Sequence, residues 1–203
     1  PGHYGVINSD GQLTVRPYYT LPDLRLTETI SEKDATEEIR TRLRESVRLR
    51  LRSDVDVGCY LSGGLDSTII VNEANKLKNG KLHTFSIGFQ SDIHNEAPFQ
   101  HVVSKAFGTN HHERIISSRD IVMSFSDVVW HAEAPLFRTA PVPMYLLAQE
   151  VQTAGIKVVL TGEGADEIFL GYDLFRETLL REDLAGTNDQ RNKLERIRSL
   201  YSY

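Results

Sequence analysis

The sequence has 203 residues, a formal net charge of −5 at pH 7, 40% hydrophobic residues and 25% charged residues, the balance of an ordinary globular chain. Its longest apolar runs are about four residues against the roughly 20 a membrane span needs, so no membrane role is expected. The acidic balance argues against a nucleic-acid partner, and a lone Cys59 excludes an internal disulfide or a thiolate zinc cluster. With no signal segment at the start, the expected localisation is cytoplasmic. The chain opens on Pro1 and stops inside a helical pattern at Tyr203, which reads as a piece of something longer.

Residues 4–19 alternate around Ser9-Asp10-Gly11 and predict a β-hairpin, followed by a polar linker from Pro22 to Lys33. Residues 34–52 predict a helix in which Ile39, Leu43, Val47 and Leu51 form an apolar stripe. Arg40, Arg44, Arg48 and Arg52 form a second stripe, read as a solvated face. From residue 55 strands and helices alternate. Strands are expected at Val57–Leu61, Leu82–Gly88, His112–Ile116 and Lys157–Thr161. Helices are expected at Asp66–Leu77, closed by Asn79-Gly80, at Glu96–Phe107, and at about 119–130 and 142–154. This order predicts an α/β fold, a parallel sheet flanked by helices with an N-terminal β-hairpin. Ligands of such sheets sit beyond the C-terminal strand ends, and two Gly-rich loops lie there.

The first loop is Ser62-Gly63-Gly64-Leu65-Asp66-Ser67-Thr68, between a strand and a helix. Paired glycines and a helix start suit a phosphate, and the hydroxyls of Ser62, Ser67 and Thr68 are further donors. No Lys follows the glycines, so the loop is not of the Walker type. Asp66 beside a phosphate calls for a cation between them, read as Mg²⁺; the competing reading makes Asp66 a helix cap. The second loop, Thr161-Gly162-Glu163-Gly164-Ala165-Asp166-Glu167, gathers three carboxylates at a strand end. Asp166 could meet Asp66 across adjacent strands, or cap the next helix while Glu163 and Glu167 face water. Adjacent His111 and His112 must point to opposite sheet faces, so a shared metal is not expected and a surface or strand-edge role is. Arg138, before a Pro-rich turn, is read either as an anion ligand or as half of a structural ion pair.

The string Ser62 to Ser67 resembles the pyrophosphate-binding loop of the PP-loop ATP pyrophosphatases, which cleave ATP to AMP and pyrophosphate. The second loop with Tyr172, together with Asn95-Glu96-Ala97-Pro98, His111-His112-Glu113 and Pro143-Met144-Tyr145-Leu146-Leu147, is similar to the glutamine-hydrolysing asparagine synthetases over roughly residues 34–180. β-Lactam synthetases share that fold and carry Tyr where Glu163 stands here.

The resemblance implies that adenine is held at Tyr60 and Leu61 and at Ser86, Ile87 and Gly88. It implies that the phosphates are cradled by Ser62, Gly63, Gly64, Ser67 and Thr68, with Thr161 and Gly162 completing the nucleotide site. Asp66 and Asp166 would hold Mg²⁺, and Glu163 would accept the proton lost by incoming ammonia. The implied reaction adenylates aspartate with ATP and aminates the acyl-adenylate with ammonia released from glutamine. The family's glutaminase is a separate N-terminal domain with its own catalytic Cys, a role Cys59 in a buried strand cannot take. Residues 1–33 are accordingly expected to be the hairpin and linker from that domain, and residues 34–203 a synthetase domain cut short at its C-terminal side. A homodimer is left open. Another carboxylate acceptor, β-lactam cyclisation, or nucleotide binding without catalysis are the alternatives.

Overall fold

The computed structural model describes residues 1–20, 30–78, 80–90, 95–183 and 190–200. The chain divides into two units, Pro1–Arg42 and Leu43–Tyr203. In the first, β1 (His3–Ile7) and β2 (Leu13–Pro17) form the expected antiparallel hairpin, in register from His3↔Pro17 to Ile7↔Leu13. Its turn is tied by Asn8, whose side-chain oxygen accepts from the N–H groups of Asp10 and Gln12. Most of the expected linker lies outside the described residues.

Helix α1 (Glu32–Arg50) starts two residues earlier than its apolar pattern suggests, because Ser31 caps it. The Ser31 hydroxyl accepts from Asp34 N–H at 3.1 Å and donates to the Asp34 carboxylate at 2.7 Å. The apolar stripe is buried only in its later half: Val47 is 3% exposed, Leu43 and Leu51 are half-buried, and Ile39 is exposed. The arginine stripe is solvated, with Arg40 paired to Glu37 and Arg48 to Glu45 on the same helix.

In the second unit, β3 (Val57–Tyr60), β4 (His83–Phe89), β5 (Asn110–Ile116) and β6 (Val158–Leu160) form a parallel sheet in the order β5-β4-β3-β6. Between them run α2 (Leu65–Leu77), α3 (Ala97–Phe107), α4 (Ser118–Ala132) and α5 (Pro141–Thr153). The expected α/β architecture is therefore present. β5 begins two residues before its apolar run because Asn110 N–H already pairs with Leu82 O at 2.8 Å. The Asn79-Gly80 stop of α2 begins at a residue outside the described set; the helix cap is Lys78, whose N–H reaches Ala74 O. After β6 come α6 (Ala165–Phe169), α7 (Asp173–Asp183) and α8 (Gln190–Leu200).

Two apolar layers sandwich the sheet. On one side Cys59, Leu61 and Leu82 pack with Val71 and Ala74 of α2 and Val47 of α1. On the other, Phe85 packs with Leu147 and Val151 of α5, and Ile116 with Val128 of α4 and Leu146 of α5. Cys59 is fully buried, which pushes its thiol up to about 12, so the expected inert structural role holds. No helix among the described residues is long and apolar enough to cross a membrane.

Chain order and strand order together position the site. The chain steps from β3 to β4 to β5 in one direction, then returns to place β6 on the other side of β3. A crevice opens at that reversal, beyond the C-terminal ends of β3 and β6, where both Gly-rich loops emerge. Truncating fully buried Leu82 to Ala is expected to cost about 2–5 kcal/mol, read as a lower urea midpoint at unchanged slope.

Candidate active site

The crevice is a cleft of about 320 Å³. One half is apolar, walled by Tyr60, Leu61, Phe85, Ile87, Met144 and Leu147. The other half is polar, formed by Ser62, Asp66 and Ser67 of the first loop and by Thr161 to Glu167 of the second.

In the first loop Ser67, on the opening turn of α2, organises the backbone. Its hydroxyl accepts from Ser62 N–H at 3.2 Å, lies 2.9 Å from the Ser62 hydroxyl and donates to Gly64 O at 3.2 Å. The Ser62 hydroxyl in turn accepts from Gly64 N–H at 3.2 Å. Gly63 takes φ +86°, and a Cβ there would strike Phe99 of α3. Asp66 does not cap α2: the cap residue is Gly64 and no side chain accepts there. Its half-buried carboxylate lines the cleft instead.

The second loop approaches the first closely. A Cβ on Gly162 would lie 2.9 Å from Ser67 N and 3.0 Å from Asp66 Cβ, so only glycine lets β6 deliver its loop here. Asp166 does not cap α6 either, since Gly164 is the cap residue and receives no side-chain bond. Asp166, Glu163 and Glu167 line the same cleft as Asp66, so the two loops converge as their order suggested. The Tyr172 hydroxyl donates to Glu167 at 3.0 Å, and the carboxylates of Glu167, Asp166 and Glu163 around it raise its phenol above the ordinary value.

Of the expected site residues, Tyr60, Leu61, Ser62, Asp66, Ser67, Ser86, Ile87, Thr161, Gly162, Glu163 and Asp166 line the cleft. Gly63, Gly64, Thr68 and Gly88 stand behind them: Gly63 and Gly64 shape the loop, Thr68 N–H bonds Gly64 O, and Gly88 packs toward Glu113 and Ile115. Burial raises the Tyr60 phenol. Arg138 is exposed and lies outside the cleft lining, so neither loop draws on it. Pattern reading passed over Phe89 and Gln100 and quoted Glu96, Pro143, Met144 and Leu147 only within matching blocks, with no place in the site; all six line the cleft. Gln100 had a readable signal, as a polar residue on the buried face of α3 between Ala97 and Val103.

The expected opposite orientation of the two histidines holds and His111 does lie on an edge strand, but its ring is half-buried and bonded inward rather than a surface group. His111 Nε2 lies 3.0 Å from the Ser86 hydroxyl, and its Nδ1 lies 3.0 Å from the Thr84 hydroxyl. Thr84 lies 2.8 Å from the Thr109 hydroxyl, so a polar chain runs from the cleft wall into the interior. Burial lowers the His111 imidazole below its ordinary value and favours the neutral ring. His112 faces the other way and stacks on Phe85 and His83.

Five acidic residues, Asp66, Glu96, Glu163, Asp166 and Glu167, line the cleft, and among the described residues no Lys, Arg or His joins them. A polyphosphate entering this field needs a cation with it. The donors are carboxylate and hydroxyl oxygens, which suit a hard ion. No three His, Cys, Asp or Glu side chains among the described residues gather closely enough to hold a metal alone. Mg²⁺ needs no such cluster, since it is bound through one or two carboxylates while phosphate and water fill its other positions.

The Asparagine synthase family profile matches residues 38–201. The chain belongs to that family. Among its relatives, asparagine synthetase (glutamine-hydrolyzing) 1 of Bacillus subtilis is 35% identical over 179 residues, covering 88% of this chain and 28% of that protein. Amidase chyE of Penicillium rubens is 34% identical over 199 residues, covering 90% of this chain and 30% of that protein. The chain thus spans less than a third of these relatives' length. An NH3-dependent NAD synthetase structure from Campylobacter jejuni aligns with TM-score 0.48 at 17% identity, over 67% of this chain and 60% of that one.

Because the asparagine synthase domain brings its two loops together through Gly162, Gly162→Ala is expected to cost about 1–3 kcal/mol in urea unfolding, with the loss arising from steric separation of β6 from α2.

Proposed function

We propose that the cleft binds ATP, and that the full-length protein uses it to activate the side-chain carboxylate of aspartate for attack by ammonia. One observation carries this reading: Asp66 and Asp166, from Gly-rich loops on adjacent strands, line a single cleft whose walls also include the apolar side chains of Leu61, Phe85, Ile87 and Leu147. Family membership and relatives named asparagine synthetases support it.

The base occupies the apolar half of the cleft near Tyr60, Leu61 and Ile87, with backbone groups from Ser86 to Gly88 at its edge. The phosphates lie over the loop Ser62 to Thr68, against the start of α2 and the neighbouring strand end at Thr161 and Gly162. Asp66 and Asp166 hold Mg²⁺, which when bound offsets the charge of the polyphosphate. An aspartate carboxylate oxygen attacks the α-phosphorus; the bond to pyrophosphate breaks and an acyl-adenylate remains. Ammonia then forms the C–N bond, AMP leaves with the acyl C–O bond, and Glu163 accepts the proton shed by nitrogen. The ammonia comes from glutamine through an N-terminal glutaminase domain, and the setting is cytoplasmic.

A second reading keeps the ATP chemistry and changes the acceptor carboxylate; the amidase-named relative favours it. The deciding experiment gives the full-length protein ATP, Mg²⁺, ammonium and L-aspartate and quantifies AMP and asparagine. Equal amounts support aspartate as acceptor, ATP binding with neither product supports the second reading, and failure to bind ATP overturns both.

Asp66→Asn is expected to lower AMP formation by about a hundredfold or more with the circular dichroism melt unchanged. Glu163→Gln is expected to lower asparagine formation about a hundredfold or more while aspartate-dependent release of pyrophosphate persists. Isotope exchange between labelled pyrophosphate and ATP separates the two effects.

A further inference from the structure

Gly171, in the corner between α6 and α7, is a glycine that its own backbone does not call for. It lacks the positive φ that seven other described glycines adopt. The left-handed position of this corner falls instead on Leu170, at φ +57°, where a side chain is strained. The corner thus carries a side chain where glycine would suit the backbone, and a glycine one residue later.

The space of the missing side chain is taken by the Asp166 carboxylate. A Cβ on Gly171 would overlap Asp166 Oδ1 and would lie 3.0 Å from Asp166 Cγ and 3.4 Å from its Cα. No hydrogen bond or ion pair among the described residues holds this carboxylate, so its place depends on contact with the bare backbone of Gly171. The surrounding chain is tied down. Leu170 N–H and Gly171 N–H both reach Asp166 O, the second at 3.0 Å, and Phe175 N–H reaches Tyr172 O at 3.0 Å. The Tyr172 hydroxyl is engaged with Glu167. With both flanks fixed, a side chain at position 171 displaces the far end of Asp166, the freest group it meets, and leaves the corner in place.

We propose that Gly171 is a positioning residue for the cation: the gap it leaves sets where the Asp166 carboxylate stands in the cleft, and so how that carboxylate meets a divalent ion carried by the nucleotide. The assignment rests on the nucleotide and Mg²⁺ reading of the cleft and deepens it by naming the residue that seats one of the two carboxylates. Groups that orient a metal-binding carboxylate govern metal affinity without touching the metal.

The test uses the full-length protein with saturating α,β-methylene-ATP, which resists cleavage at the α–β position, and measures Mn²⁺ affinity by electron paramagnetic resonance. Mn²⁺ takes the same kinds of oxygen ligand as Mg²⁺. Gly171→Ala is expected to weaken Mn²⁺ binding about tenfold or more, with a melting temperature within about 3 °C of the native one, since only a side-chain end moves. Asp166→Ala is expected to weaken Mn²⁺ at least as strongly. In the Asp166→Ala background, adding Gly171→Ala is expected to change the affinity by less than about twofold, because the two residues act as a unit. An equal loss from Gly171→Ala in both backgrounds overturns the proposal, as does native affinity in the single Gly171→Ala variant. A Gly171→Ala protein that melts far below the native one and is not rescued by Asp166→Ala also overturns it, since backbone is then the obstacle. Native Mn²⁺ affinity in Asp166→Ala removes the metal reading of that carboxylate, and failure of the nucleotide to bind removes the nucleotide reading; the assignment falls with either, and each shows in its own measurement.

Discussion

β3 is hydrogen-bonded on both sides, to β4 through Cys59↔Thr84 and Tyr60↔Phe85 and to β6 through Val57↔Val158 to Cys59↔Leu160. Because all three strands run parallel, their C-terminal ends come out together, and the register fixes how far each loop projects. The first loop then starts α2 and the second starts α6, so two short backbone turns meet above a central strand. Gly162 sets the spacing, with no room for a side chain between the β6 loop and the first turn of α2. The acidic concentration in the cleft follows from this convergence, since each loop carries its own carboxylates.

The fold stabilises that concentration of charge by keeping it at the rim. The apolar layers on either side of the sheet lie below, built from Leu61, Val71 and Leu82 on one face and Phe85, Leu147 and Val151 on the other. Glu163 and Glu167 stay exposed, and Asp66 and Asp166 are half-buried, so none carries the full desolvation penalty of an interior ion. Where a polar group is taken deeper, it is nearly always matched. Thr84, Ser86 and Thr109 are buried and all bonded through side chains, directly or by way of His111.

The strand–helix alternation was legible because each buried strand is a short apolar run ended by a polar or Gly-containing turn. Both loops were legible because glycines beside carboxylates have little use inside a core. The helix-borne walls of the cleft were not. Pro143, Met144 and Leu147 have the composition of any packing face, and only the placement of α5 against β4 turns them toward a ligand. Ile39 sits in phase with Val47, yet periodicity reports which residues share a face and not whether anything covers it. The pairing of Ser31 with Asp34 was short enough to read, but it lay in a stretch whose polarity masked it. His111 illustrates the limit most plainly: alternation gave its facing, while its partners Thr84 and Ser86 come from a neighbouring strand.

A neutral imidazole has one N–H and one lone pair, which gives the chain Ser86–His111–Thr84–Thr109 a direction. If Ser86 donates its proton outward, its oxygen accepts from His111 Nε2–H; Nδ1 then accepts from Thr84, and Thr84 accepts from Thr109. If Ser86 instead donates its proton to His111 Nε2, every one of these bonds reverses and the ring changes tautomer. The two arrangements differ in proton positions from the cleft wall to the far end of β4, and passing between them moves no heavy atom.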